Sequence, residues 1–256
     1  MYGLPESWIF YAAATPAVIL VGLSKGGFAG LATLSLPLLA LVSPPLRAAA
    51  IMLPILIVQD MVSVWFYRHD FDRRVVGVLL GGSLIGIAAG ALLAAHVSNA
   101  AVLLIVGLIA SGFVLYSWLR KGGRAGEPQP ARLAPGIFWG ACLGFTSFIA
   151  NAGSPPFQVY VLPQRLKPQT YAGVQTMVFA AVNLIKFAAF AALGQVSLEN
   201  FAVSASLFPI AIAATFAGVW LVRRVQAGFF YSFVYVMTFV VGLKLIWDGL
   251  KGLGAF

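Results

Sequence analysis

An all-α membrane protein is the fold class this sequence predicts: a polytopic helical bundle of two inverted repeats, each a broken or re-entrant helical hairpin followed by three transmembrane helices. Three observations carry the prediction. Of the 256 residues, 61% are hydrophobic and 9% charged, with a mean hydropathy of +0.96, a composition no soluble surface tolerates, so a bilayer must be the solvent. Uncharged runs close to the roughly 20 residues that a helix needs to cross about 30 Å of hydrocarbon recur along the chain. Period-two alternation is missing, which excludes a closed β-barrel.

Six stretches read as full crossings: residues 46–66, 75–95, 100–119, 170–193, 201–222 and 229–247. Two regions do not. Trp8 to Val42 is broken by Gly22-Leu23-Ser24-Lys25-Gly26-Gly27, and Pro135 to Leu162 by Asn151-Ala152-Gly153-Ser154-Pro155-Pro156. Pieces of about 15 residues rise only about 22 Å, so re-entrant hairpins or discontinuous helices are expected there. The first apolar run lacks a basic leader and an A-x-A-like cleavage site and reads as part of the mature fold.

The polar stretch 120–134, with Gly122-Gly123, Pro128 and Pro130, divides a first repeat (1–119) from a second (135–256) within one integral membrane domain. The halves resemble each other weakly: Ser43-Pro44-Pro45-Leu46-Arg47-Ala48 aligns with Lys167-Pro168-Gln169-Thr170-Tyr171-Ala172, Phe71-Asp72 with Leu198-Glu199, and Gly90 with Gly218. Charge adds orientation. The loop with Arg68, Arg73 and Arg74 is basic and the next, His96 to Asn99, has no Lys or Arg; in the second half the order reverses, with Gly194 to Asn200 lacking both and Arg223-Arg224 following. By the positive-inside bias the halves sit upside down to each other, with both termini periplasmic in a bacterial inner membrane.

The same loop placement accounts for the net charge of +9, so no nucleic-acid partner is expected. A lone Cys142 and two histidines, His69 and His96, in predicted loops offer no disulfide, metal site or catalytic constellation. The G-x-x-x-x-G-K-[ST] phosphate loop is absent as well. Neither an enzyme nor a bound cofactor is expected, and a transporter is.

Inverted-repeat transporters place substrate near the midplane, where broken helices aim backbone N–H groups at an anion. In the first break Gly22, Ser24, Lys25, Gly26 and Gly27 are candidate substrate contacts: an ammonium dipping into the bilayer costs several kcal/mol by most estimates, which a bound anion offsets. The alternative is that Lys25 snorkels to water or lipid phosphate. In the second break Thr146, Ser147, Asn151, Gly153 and Ser154 supply donors and close backbone approach, or else helix-to-helix glue, the reading favoured for Thr146 and Ser147. Gln175 and Thr176 follow on the next helix, where Gln175 and Asn183 share roughly one face and line a pathway or merely join helices. Asp60 is a candidate for coupling to an ion, proton or sodium, for pairing with Lys25, or for a salt bridge near the cytoplasmic rim. Lys186 lies near enough to the outer end of its span to snorkel, so a direct Asp60–Lys186 pair is not expected.

At these residues the chain resembles the TauE/SafE family of sulfite and sulfonate exporters. Gly22 through Gly30, with Leu36-Pro37 beyond, is similar to the family's glycine-rich motif. In the second half Gly144, Gly153-Ser154-Pro155, Leu162-Pro163 and Gln175-Thr176 keep the pattern with fewer glycines, which leaves the substrate open. The resemblance implies movement of a small sulfur-containing anion such as sulfite, sulfoacetate or another organosulfonate, by export and alternating access around a site built from both breaks. Import or channelling of thiosulfate or a related anion is the alternative, and a non-transporting scaffold subunit is another. Membrane lipid, a coupling ion and a second copy of the chain are the remaining candidate partners.

Overall fold

The computed structural model describes residues 7–28, 31–40, 42–43, 45–94, 96–120, 128–192 and 198–254. Every regular element in it is helical. The first half supplies α1 (Trp8–Lys25), a 3-10 turn (Leu31–Leu34), α2 (Ser35–Ala40), α3 (Pro45–Tyr67), α4 (Arg73–Leu93) and α5 (Asn99–Arg120). The second supplies α6 (Leu133–Ala150), α7 (Ser154–Val161), a 3-10 turn (Leu162–Gln164), α8 (Pro168–Ala192), α9 (Leu198–Arg224) and α10 (Ala227–Gly252). One order therefore occurs twice: a long helix, a break, a short helix, then three long helices. Among the described residues seven helices are long and apolar enough to cross a bilayer, and α3 adds the apolar stretch Ile51–Tyr67. The protein is a multi-pass helical membrane protein.

The six expected crossings correspond to α3, α4, α5, α8, α9 and α10. The first arms of the two hairpins are longer than expected. Helices α1 and α6 each run 18 residues, about 27 Å, because Gly22, Ser24 and Lys25 stay within the last turn of α1. The second arms are short, at 6 residues in α2 and 8 in α7. The 120–134 linker is trimmed at both ends, since α5 reaches Arg120 and α6 starts at Leu133; residues 121–127 lie outside the described residues, as do 29–30 and 193–197.

Local chemistry sets the helix ends. The Asp72 carboxylate caps α4 by accepting from the Arg74 and Val75 N–H groups at 2.8 and 3.0 Å. Asn151 ends α6 in the left-handed region at φ 52°, a conformation its short polar side chain tolerates.

Two compact units form, and neither follows a half of the chain. Unit 1 comprises residues 1–71 and 168–225; unit 2 comprises 72–167 and 226–256. In unit 1, α1 packs on α9, and α3 on α8 and α9; in unit 2, α4 packs on α6, and α5 on α10. Glycines bring these helices together. A Cβ on Gly26 would fall 2.2 Å from the Gly218 carbonyl carbon, and one on Gly22 would fall 2.6 Å from the Ala214 Cβ. In unit 2 a Cβ on Gly86 would lie 1.9 Å from the Ala141 carbonyl oxygen, and one on Gly144 would lie 2.1 Å from that of Ser83. With lipid as apolar as leucine, helices associate through such close backbone packing and through polar contacts.

One end of unit 1 carries cations over aromatic rings: the Arg68, Arg223 and Arg224 guanidinium carbons stand 5.0, 5.6 and 4.4 Å from the ring centres of Trp65, Phe66 and Trp220. Arginine beside tryptophan marks a membrane–water boundary.

Candidate functional site

The break after α1 is closed by side chains from α3 and α8. A helix C-terminus leaves carbonyls without intrahelical donors. Here the Tyr67 hydroxyl donates to the Gly26 carbonyl at 2.6 Å and the Gln175 amide to the Ser24 carbonyl at 3.1 Å. Gly27 then turns the chain at φ 127°, which glycine adopts without a Cβ clash. The Gln59 amide reaches the carbonyls of Val18 and Ala211 at 3.1 and 3.4 Å, tying α3 to α1 and α9.

Lys25 occupies the last turn of α1, where the helix dipole favours a cation. It does not snorkel: at 8% exposure it is buried, and its Nζ donates to Asp60 Oδ1. The second Asp60 oxygen accepts from Asn183 Nδ2 at 2.7 Å. One turn beyond Asn183 on α8 stands Lys186, 5% exposed. Among the described residues these are the buried Lys, Arg, Asp and Glu side chains, and all three lie in unit 1. Two hydroxyls in the same unit, Ser63 one turn after Asp60 and Thr176 two turns before Asn183, are buried and have no hydrogen-bond partner, and neither has the Gln175 carbonyl oxygen.

Unit 1 thus brings together Gly22, Ser24, Lys25, Gly26, Gly27, Asp60, Gln175 and Thr176 of the sequence-predicted residues. Gly22 and Gly26 meet α9 there, so contact between helices is what requires their missing Cβ atoms. Thr146, Ser147, Asn151, Gly153 and Ser154 belong to unit 2. The Thr146 hydroxyl lies 2.7 Å from the Cys142 carbonyl and 3.0 Å from that of Ala152, so it is satisfied across the break. Ser147 is buried against its neighbours.

Backbone N–H groups contribute less than the breaks suggest. Lys25 sits at a helix C-terminus, whose partial charge is negative. The N-terminus of α7 carries Pro155 and Pro156, which have no N–H to offer.

This core also holds Asn183, which the sequence offers with Gln175 as lining a pathway or joining helices, together with Lys186 and Ser63, which it does not offer as candidates. Their signal was spacing, because Gln175, Asn183 and Lys186 recur at intervals of eight and three on one face of α8. Lys186 was read as snorkelling, whereas that face packs into the unit. Asp60 pairs with Lys25 and Asn183, one of the options the sequence left open.

A separate groove of about 340 Å³ in unit 2 is lined by Ile85, Ile105, Phe138, Phe145 and Pro156 among others. Ile85, Ile105 and Phe138 are exposed, and no charged residue lines the groove.

No curated protein and no solved structure matches the chain significantly. The profile of the family described as Sulfite exporter TauE/SafE matches residues 14–245, which takes in most of α1, all of α3 and α8, and every residue of the charged core. The chain belongs to the sulfite exporter TauE/SafE family of membrane transporters.

Proposed function

We propose that this protein is a secondary transporter that moves a small sulfur-containing anion, sulfite or an organosulfonate such as sulfoacetate, out across the bacterial inner membrane by alternating access. The observation that carries the reading is Lys25, a buried ammonium whose counter-ion, Asp60, is itself held by Asn183. A substrate anion competes with Asp60 for Lys25, and the hydroxyls of Ser63 and Thr176 supply donors that the fold leaves unused. Asp60 released in this exchange is the group through which an ion, proton or sodium, couples to transport. Positive-inside charge supports inverted halves with both termini periplasmic.

A scaffold role is the second reading, favoured by how completely Tyr67, Gln175 and Asp60 satisfy the groups around the first break. Flux through proteoliposomes separates the two. Purified protein is expected to carry sulfite or sulfoacetate saturably in preference to taurine or thiosulfate, with the flux lost in Lys25→Ala. An Asn151→Ala variant tests the second break in the same assay. No flux, or flux indifferent to Lys25→Ala, would sink the transport reading and leave the scaffold.

A further inference from the structure

We infer that α1, α3 and α9 enclose a sodium site built from Gln59 Oε1, Ser63 Oγ and Thr215 Oγ1, and that sodium rather than a proton is the ion coupled to transport. The site stands on the geometry of unit 1. Its coupling role rests on the transport reading above and chooses between the two ions named there.

The orientation of the Gln59 amide is fixed by its partners. Nε2 donates to the carbonyls of Val18 on α1 and Ala211 on α9 at 3.1 and 3.4 Å, and because both partners are acceptors the other terminal atom must be the oxygen. That oxygen is buried and accepts from no donor. The Thr215 hydroxyl donates to the same Ala211 carbonyl at 2.8 Å, which brings it beside Gln59 with its lone pairs still available. Ser63 follows Gln59 by one turn on the same side of α3, about 6 Å along the axis. Register fixes its level: Gln59 meets Val18 and Tyr67 meets Gly26, each pair 41 residues apart, so Ser63 between them stands opposite Gly22. A Cβ on Gly22 would fall 2.8 Å from the Thr215 backbone nitrogen, so Gly22, Ser63 and Thr215 share one level. Gln59, Ser63 and Thr215 are each 0% exposed, and the Ser63 hydroxyl has no hydrogen-bond partner.

An anion cannot satisfy Gln59 Oε1, which has only lone pairs to offer, whereas a cation can. Amide and hydroxyl oxygens are hard ligands. None of the three titrates near neutral pH, so they cannot hold a coupled proton. Both oxygens of the adjacent Asp60 are taken, by Lys25 and Asn183, which leaves no carboxylate to draw a divalent ion. A small monovalent cation remains. The last turn of α1, which contains Gly22, adds the partial negative charge of a helix C-terminus, and the Lys25 ammonium in that turn is balanced by Asp60. Ser63 lies one turn from both Gln59 and Asp60, so it serves sodium in one half of the cycle and, in the other, the anion that displaces Asp60. An inward sodium gradient then drives export by exchange.

Binding of radioactive sodium to full-length protein in detergent, without any anion, tests the site. Wild type is expected to bind sodium saturably, with potassium competing at least about tenfold more weakly and choline not at all. Ser63→Ala and Thr215→Val each remove one oxygen and should weaken sodium by roughly tenfold or more. Stability of Ser63→Ala in choline should match wild type, since the lost hydroxyl bonds nothing, so this variant decides even if Thr215→Val fails to fold. In proteoliposomes loaded with sulfoacetate, an inward sodium gradient should speed efflux about tenfold over an equal potassium gradient. Absence of saturable sodium binding overturns the site and leaves these oxygens to water, and sodium binding that both variants leave intact overturns it as well. Efflux indifferent to sodium overturns the coupling role alone. Sodium bound through Ser63 with no anion flux under either gradient defeats the transport reading and leaves the site standing.

Discussion

Replacing Asp60 with leucine strands the Lys25 ammonium in a core where the two side chains are 9% and 5% exposed, Lys25 first. Removing one member of a buried ion pair costs about 3–5 kcal/mol, because the remaining charge loses its partner's compensation while staying out of water. The Asn183 amide also loses its 2.7 Å acceptor, worth about 1 kcal/mol more. Asp60→Leu is therefore expected to destabilise by about 4–6 kcal/mol. Lys25→Met leaves the carboxylate with Asn183 alone and should cost about 3 kcal/mol. The double variant removes both charges and keeps the volume, so its cost should fall to about 1–2 kcal/mol. The coupling energy, about 5–8 kcal/mol, is then the difference between the sum of the singles and the double. Unfolding in mixed micelles, followed by the fluorescence of the six tryptophans, measures each term. The double variant is expected to be folded and inactive in anion flux. Singles that add to the double within about 0.5 kcal/mol would refute the pairing, and a double variant that still transports would refute its role.

Two further predictions concern the break after α1. Gly26→Ala forces a methyl group to within 2.2 Å of the α9 backbone at Gly218 and should cost at least about 3 kcal/mol; Gly77→Ala, on an exposed face with nothing within 4 Å, should be neutral or slightly stabilising, and thermal retention of the monodisperse peak in detergent checks both. Tyr67→Phe leaves the Gly26 carbonyl without its 2.6 Å donor and should cost about 1–3 kcal/mol in the same unfolding assay, with substrate flux retained, unlike in Lys25→Ala.

Much of this architecture was legible in one dimension. Hydropathy places six long helices because bilayer thickness imposes a length on each. Helix α1 is longer than expected because its glycine-rich run stays helical through Lys25, and α6 because it starts at Leu133. Gly22 is still helical, and the chain departs only at Gly26-Gly27, where the glycine turns at positive φ. Lys25 and Asp60 could be nominated because charges inside apolar runs stand out. Their link to Asn183 could not be fixed, since periodicity tells which residues share a face of α8 but not which helix that face meets. Lys186 was misplaced for the same reason: distance along a helix from the membrane edge predicts snorkelling only when the face looks outward. The interleaving of the halves, α1 with α9 and α4 with α6, left no trace in composition or spacing beyond the glycines themselves.

That interleaving imposes an order on biogenesis. Helix α4 meets its partner α6 as soon as the linker after α5 has been synthesised, whereas α1, at the start of the chain, must wait for α9. During that interval Lys25 is already in the nascent chain's apolar surroundings, but Asp60 follows it by only 35 residues. Local pairing can neutralise the early lysine while translation continues. Lys186 comes later, on α8, and reaches the same buried core only when that late helix docks.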